Sequence, residues 1–134
     1  MTFEDVVDVL GGRLGVGLSV EDGVCRVEVD GMEVSMQEID SIGGFCLMGE
    51  IGETSPLNAE AVMGALLSAN HLFLGTGGAT ISREPETGKF FLCRYERLDF
   101  LDGDRVVEMF GRFVDTLEIW RNTVAKFRAE DAVS

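Results

Sequence analysis

Apolar and polar residues alternate without a break on both sides of Asp30-Gly31. Cys25, Val27 and Val29 precede the pair, with Arg26 and Glu28 between them; Met32, Val34 and Met36 follow, with Glu33, Ser35 and Gln37. A period of two sends the two residue sets to opposite faces of a strand. Asp-Gly supplies the left-handed backbone that a two-residue hairpin needs. The stretch therefore sets an antiparallel hairpin with one apolar face, and that face has to be covered.

The cover is legible on both sides of it. Phe3, Val6, Val7, Leu10 and Leu14 recur at helical spacing, so an amphipathic helix is expected over 2–14, capped by Thr2 and ended near Gly11-Gly12. Leu18 and Val20 alternate before the Glu21-Asp22-Gly23 turn, and Phe45, Leu47 and Ile51 mark a further strand. A second helix is expected over 56–73, with Ser55-Pro56 as cap and first turn. Its stripe is Val62, Leu66, Ala69 and Phe73, widened by Met63, Leu67 and Leu74, so more than one side should be buried. Gly75-Thr76-Gly77-Gly78 breaks it, and strands follow over 79–84 and 89–97. Val106, Phe110, Phe113, Leu117, Trp120, Val124 and Phe127 define a long last helix over 104–128. At about 36 Å it would reach across a five-stranded sheet. The fold class is α+β: helix, three strands, helix, two strands, helix, with a twisted antiparallel sheet packed by the helices. The 134 residues suit one domain, 1–134, with 129–134 as a loose tail.

Charge narrows the partners. The net charge is −13, and residues 1–60 hold only Arg13 and Arg26 against 13 acids. Phosphate backbones and anionic lipid surfaces repel such a chain, so neither nucleic acid nor membrane is an expected partner. The uncharged run 61–82 holds Asn70, His71 and four glycines, too short an apolar stretch to span a bilayer. The start, MTFEDVVDVL, is acidic and amphipathic, unlike a signal peptide. Cys25, Cys46 and Cys93 are widely spaced within apolar runs, which suits free thiols in a reducing cytoplasm.

No grouping of residues points to catalysis, metal or cofactor. His71, the single histidine, has Asn70, Leu72 and Phe73 as neighbours, and no thiol at ligand spacing. A glycine-rich dinucleotide loop would need glycine where Thr80 stands, and would follow a strand. The acids of 99–104 lack the alternating oxygen ligands of a calcium loop. The surplus is apolar instead: nine phenylalanines and six methionines, with Phe90-Phe91-Leu92-Cys93 apolar on both strand faces. The chain therefore reads as a binding protein, not an enzyme.

Several segments taken in order resemble one family. They are Leu10-Gly11-Gly12-Arg13-Leu14-Gly15 after the first helix, the Asp30-Gly31 hairpin, Leu47-Met48-Gly49-Glu50-Ile51-Gly52, and Leu66-Leu67-Ser68-Ala69-Asn70 with Phe73. Ala79-Thr80-Ile81, Gly88-Lys89-Phe90-Phe91-Leu92 and Phe113-Val114 to Trp120-Arg121 complete the set. The pattern, from about residue 3 to 127, is similar to the class I chaperones of bacterial type III secretion, the Tir chaperone family. The resemblance implies a cytoplasmic homodimer without cofactor. Such a dimer binds the non-globular N-terminal segment of a secreted effector, keeps it soluble and secretion-competent, and delivers it to a secretion ATPase. It also implies positions. Val62, Leu66, Leu67, Ala69, His71, Phe73 and Ile81 would build the dimer interface; Phe3, Val7, Leu10, Leu14, Val16, Leu18 and Phe91 would line the effector grooves. The rival reading is a same-fold regulatory or ligand-binding module acting on a folded partner.

Overall fold

A computed structural model describes residues 1–133, with side chains through Ala129. Helix α1 spans Phe3–Leu14. The Thr2 hydroxyl accepts from the Asp5 N–H at 3.1 Å, and the Asp5 carboxylate accepts from the Thr2 N–H at 2.9 Å, a reciprocal cap. Gly11-Gly12 does not end the helix. It runs on to Leu14 and stops at Gly15, whose φ of 71° needs no Cβ. Gly11 is instead a close approach: a Cβ there would lie 3.0 Å from the Val16 carbonyl oxygen.

The hairpin forms as its alternation requires. Strands β1 (Val24–Val29) and β2 (Met32–Ile39) flank Asp30 and Gly31, whose φ values are 50° and 79°. Strand β3 is Gly44–Gly52, β4 Thr80–Arg83 and β5 Phe90–Arg97. The five strands make one antiparallel sheet in the order β1-β2-β3-β5-β4. Leu18 and Val20 join no strand; only Glu21 bridges to Val24.

Helix α2 is Ala59–Asn70, followed by a 3-10 turn over His71–Phe73. It starts three residues after the expected position. Asn58 stands at its N-cap but gives its amide to the Phe127 carbonyl oxygen at 2.7 Å, so a contact with the last helix sets the start. Helix α3 is Gly103–Val133 and passes the expected end at 128. The expected tail is thus helical as far as Val133, and Ser134 lies outside the described residues.

Helices α1 and α3 pack on each other, and α3 crosses β3. Gly49 makes that crossing close: a Cβ there would meet the Leu117 side chain at 2.5 Å. The core joins Phe3, Val6 and Leu10 of α1, Phe113 and Leu117 of α3, and Val27, Val34, Met36, Phe45, Leu47 and Leu92 of the sheet. Phe3 and Phe45 are tilted rings 5.8 Å apart. Helix α2 lies beside β4 at the end of the sheet, and its Val62, Leu66 and Ala69 join the same core.

Candidate functional site

Two surfaces of this fold are unfinished. The first lies at the β1 edge. A two-residue turn makes Val29 and Met32 a hydrogen-bonded pair, and antiparallel pairing alternates from there. Val27 and Cys25 therefore bond to β2, while Glu28, Arg26 and Val24 turn their backbone groups outward. Val24 exchanges its two bonds with Glu21, at 2.9 and 3.0 Å. Among the described residues, Arg26 and Glu28 have no backbone partner on that side. The edge thus offers two N–H and two C=O groups in strand register.

Beside it, the segment from Gly15 to Val20 runs without regular structure. It leaves a cavity of about 220 Å³ lined by Gly17, Leu18, Ser19, Glu21, Val24 and Arg26. Leu18 is half-buried, while Leu14 and Val16 are exposed and outside the cavity's lining. Of Leu14, Val16 and Leu18, Leu18 alone lines this cavity. Phe3, Val7 and Leu10 do not line it: all three are buried in the core beneath α1. Phe91 is also separate. It lies on β5, half-buried on the sheet face away from α1 and α3, opposite Glu50 on one side and Ser82 on the other.

The second surface belongs to α2. Val62, Leu66, Ala69 and Ile81 are buried within the chain. Leu67 is 71% exposed and Phe73 55%; Met63 and His71 are exposed as well. A concavity of about 180 Å³ between α2 and β4 is lined by Met63, Leu66, Leu67, Asn70, Ile81, Ser82, Arg83 and Phe90. Beyond it Leu72 and Phe73 take φ values of 53° and 58°, a region L side chains rarely adopt, and present apolar side chains to solvent together with Leu74. Two contacts hold this knuckle. Gly75 packs so closely on Ala69 that a Cβ would sit 2.8 Å from the alanine Cβ. The Trp120 indole donates to the Gly75 carbonyl oxygen at 2.8 Å. Leu72 was the member that spacing could not find, because it extends no stripe; its exposure comes from the backbone reversal after Asn70.

Neither surface gathers groups for chemistry. Burial pushes the Cys46 and Cys93 thiols up, and Cys25 likewise, so all three favour the protonated form. The Cys93 thiol lies 3.6 Å from the Ser82 hydroxyl, with no base in that contact.

A small α+β protein with an open sheet edge, an apolar groove and an uncovered helix face is a docking module for polypeptide. The chain belongs to the Tir chaperone protein (CesT) family, whose model matches residues 6–121. No curated protein sequence matches it significantly. Solved structures do. Against the ExsC–ExsE complex the TM-score is 0.76 at 15% identity, over 92% of this chain and 97% of that one. Against the HopA1–SchA chaperone–effector complex it is 0.72 at 13% identity, over 90% and 93%. Against ExoU–SpcU, of the type III secretion system of Pseudomonas aeruginosa, it is 0.65 at 21% identity, over 90% and 93%. At such identities the likeness is one of fold. No helix among the described residues is long and apolar enough to cross a membrane.

Proposed function

We propose that this chain is a type III secretion chaperone that binds the non-globular N-terminal segment of a secreted effector in the bacterial cytoplasm. The segment stays soluble and ready for export, and the chaperone does no chemistry. Family membership supports the class of function. The observation that carries the mechanism is the open β1 edge beside the cavity that Leu18 lines. An extended cargo segment pairs its backbone with Arg26 and Glu28 and lowers a side chain into the cavity beside Leu18. Backbone pairing is indifferent to sequence, so it supplies affinity; the cavity supplies choice. Phe91 serves a separate stretch of the same cargo on the outer sheet face. Phe3, Val7 and Leu10 act from beneath, by fixing α1, whose Gly11 packs against Val16 and Leu18.

The working unit is a homodimer. Leu67, His71 and Phe73 meet their copies across a two-fold axis, and Val62, Leu66, Ala69 and Ile81 support them from below. A two-fold interface needs one self-complementary patch, and the apolar α2 face with its knuckle is such a patch. Secretion then requires hand-over to a secretion ATPase.

The test is affinity purification of the tagged protein from its host, limited proteolysis and mass identification of what remains bound. A protected N-terminal segment of a larger protein is the expected result. Recovery of an intact folded partner, or of a small ligand alone, would overturn the reading in favour of a regulatory module.

A further inference from the structure

Strand β4 is the other edge of the sheet, and it differs from β1. The Ile81 N–H donates to the Asn70 side-chain oxygen at 2.8 Å, and the Asn70 amide donates to the Ile81 carbonyl oxygen at 3.0 Å. These are the two bonds that a neighbouring strand would make, supplied here by one carboxamide at the end of α2. Because Ile81 faces outward, Thr80 and Ser82 face β5, as antiparallel alternation requires. One flank of the edge is occupied too. The Ala79 N–H reaches the Thr76 carbonyl oxygen at 3.1 Å, whereas the Glu84 N–H, bonded to the Lys89 carbonyl oxygen at 2.8 Å, continues the inner ladder to β5. Arg83 keeps both outward backbone groups, and Ala79 its carbonyl oxygen, without a backbone partner among the described residues. That leaves this edge a single free N–H, at Arg83, whereas β1 offers two N–H and two C=O groups in register.

We infer that Asn70 is an edge lock: its carboxamide closes β4 to strand addition and leaves β1 as the sheet's receptive edge. An exposed edge recruits any extended chain, a second copy included. A dimer built beside β4 would therefore risk running on as a continuous sheet between copies. With Ile81 already bonded, copies meeting at the α2 face touch through side chains only. The lock also ties the end of α2 to the sheet, just before the strained Leu72-Phe73 turn. Asn70 is thus a positioning residue for the dimer face and a selector of the edge that cargo finds. This consequence for cargo rests on the chaperone reading; the lock itself does not.

The experiment is amide hydrogen exchange, followed by NMR on the full chain, for the wild type, Asn70→Ala and Asn70→Asp. In the wild type the Ile81 amide should be protected like those of Thr80 and Ser82, while the Arg26 and Glu28 amides exchange freely. In Asn70→Ala, Ile81 should exchange about tenfold faster, the factor expected from losing one backbone-type hydrogen bond, with Thr80 and Ser82 unchanged. Asn70→Asp keeps the acceptor and should restore the protection. Sedimentation at rising concentration should show Asn70→Ala forming assemblies larger than the wild type forms. Equal acceleration at Thr80, Ile81 and Ser82 would make Asn70 a packing residue only and overturn the lock. So would an Ile81 amide as free as that of Arg26 in the wild type, a reading that stands even if Asn70→Ala does not fold. Assembly of a folded Asn70→Ala no larger than the wild type's would also overturn it. No cargo enters the experiment, so its failure is distinct from failure of the proposed function.

Discussion

Thr2 and Asp5 show how much one side-chain pair can govern. Their reciprocal bonds satisfy two N–H groups at the start of α1. Thr2→Ala should lower stability by about 1 kcal/mol, measured by urea unfolding. The bond from the Thr2 N–H, then that with its hydroxyl, holds the Asp5 carboxyl below its ordinary value of 3.8. A carboxyl whose folded pKa is depressed stabilises the fold above its unfolded pKa, and loses that effect as pH falls below it. The Asp5→Asn penalty should therefore be full at neutral pH and shrink as the pH drops below 3.8. A penalty unchanged at low pH would mean that the carboxylate's charge plays no part. The thiols run the other way. Burial raises all three above 9.0, so they stay protonated at neutral pH, and the thiolate is the nucleophile. Iodoacetamide should label the native protein slowly at neutral pH and faster above pH 9.0, at Cys46 and Cys93 before the buried Cys25. Rapid neutral labelling of Cys46, read by mass, would contradict this.

Two glycines separate tight packing from open space at the scale of elements. A Cβ at Gly44 would strike the Glu96 carbonyl oxygen in the paired strand, and backbone cannot swing aside. Gly44→Ala should cost about 1–3 kcal/mol. A Cβ at Gly111, on α3, would meet nothing within 4 Å. Gly111→Ala should gain about 0.5–1 kcal/mol through helix propensity alone. Thermal denaturation of the pair checks both signs. The sheet and helices were legible in the sequence wherever a period repeats: Cys25 to Met36 alternates, and Val106 to Phe127 keeps helical spacing. What misled was local punctuation that tertiary contact overrides. Ser55-Pro56 carries a start signal, yet α2 begins at Ala59 because Asn58 is bonded to Phe127. Gly11-Gly12 carries a stop signal, yet Gly11 serves the close approach of Val16. The groove was legible in part for the same reason. Spacing places Phe3, Val7 and Leu10 on one stripe of α1, but a stripe does not say whether core or cargo covers it. Here the core does, which leaves Leu14, Val16 and Leu18 at the surface. The Arg26 and Glu28 edge and the Asn70 lock are backbone features, and no side-chain pattern announces them.

The whole molecule is an acidic body with an uncovered apolar face on α2, and those two properties pull against each other. Two copies of charge −13 repel, while Leu67, Leu72, Phe73 and Leu74 lose surface to water only if they meet a partner. A dimer held by apolar burial against like charge should tighten as salt screens the repulsion; one held by cross-subunit ion pairs should loosen. Sedimentation equilibrium at low and high ionic strength separates the two, and tightening is expected. The position of the interface is tested by a contrast of neighbours. Leu66 is 3% exposed, so Leu66→Asp places a charge in the core and should unfold the chain, which says nothing of the dimer. Leu67 points outward from the same turn. Leu67→Asp should keep the wild-type circular dichroism and melting behaviour of the monomer's core, because water solvates the new carboxylate in the free chain. In a two-fold dimer the substitution is made twice, facing itself, so the penalty on assembly is doubled while that on folding is nil. If the proposed dimer forms through α2, the expected outcome is a folded monomer by light scattering at concentrations where the wild type self-associates. A Leu67→Asp protein that still sediments as a dimer would remove α2 from the interface. The uncovered face would then be left for a cargo segment or another partner.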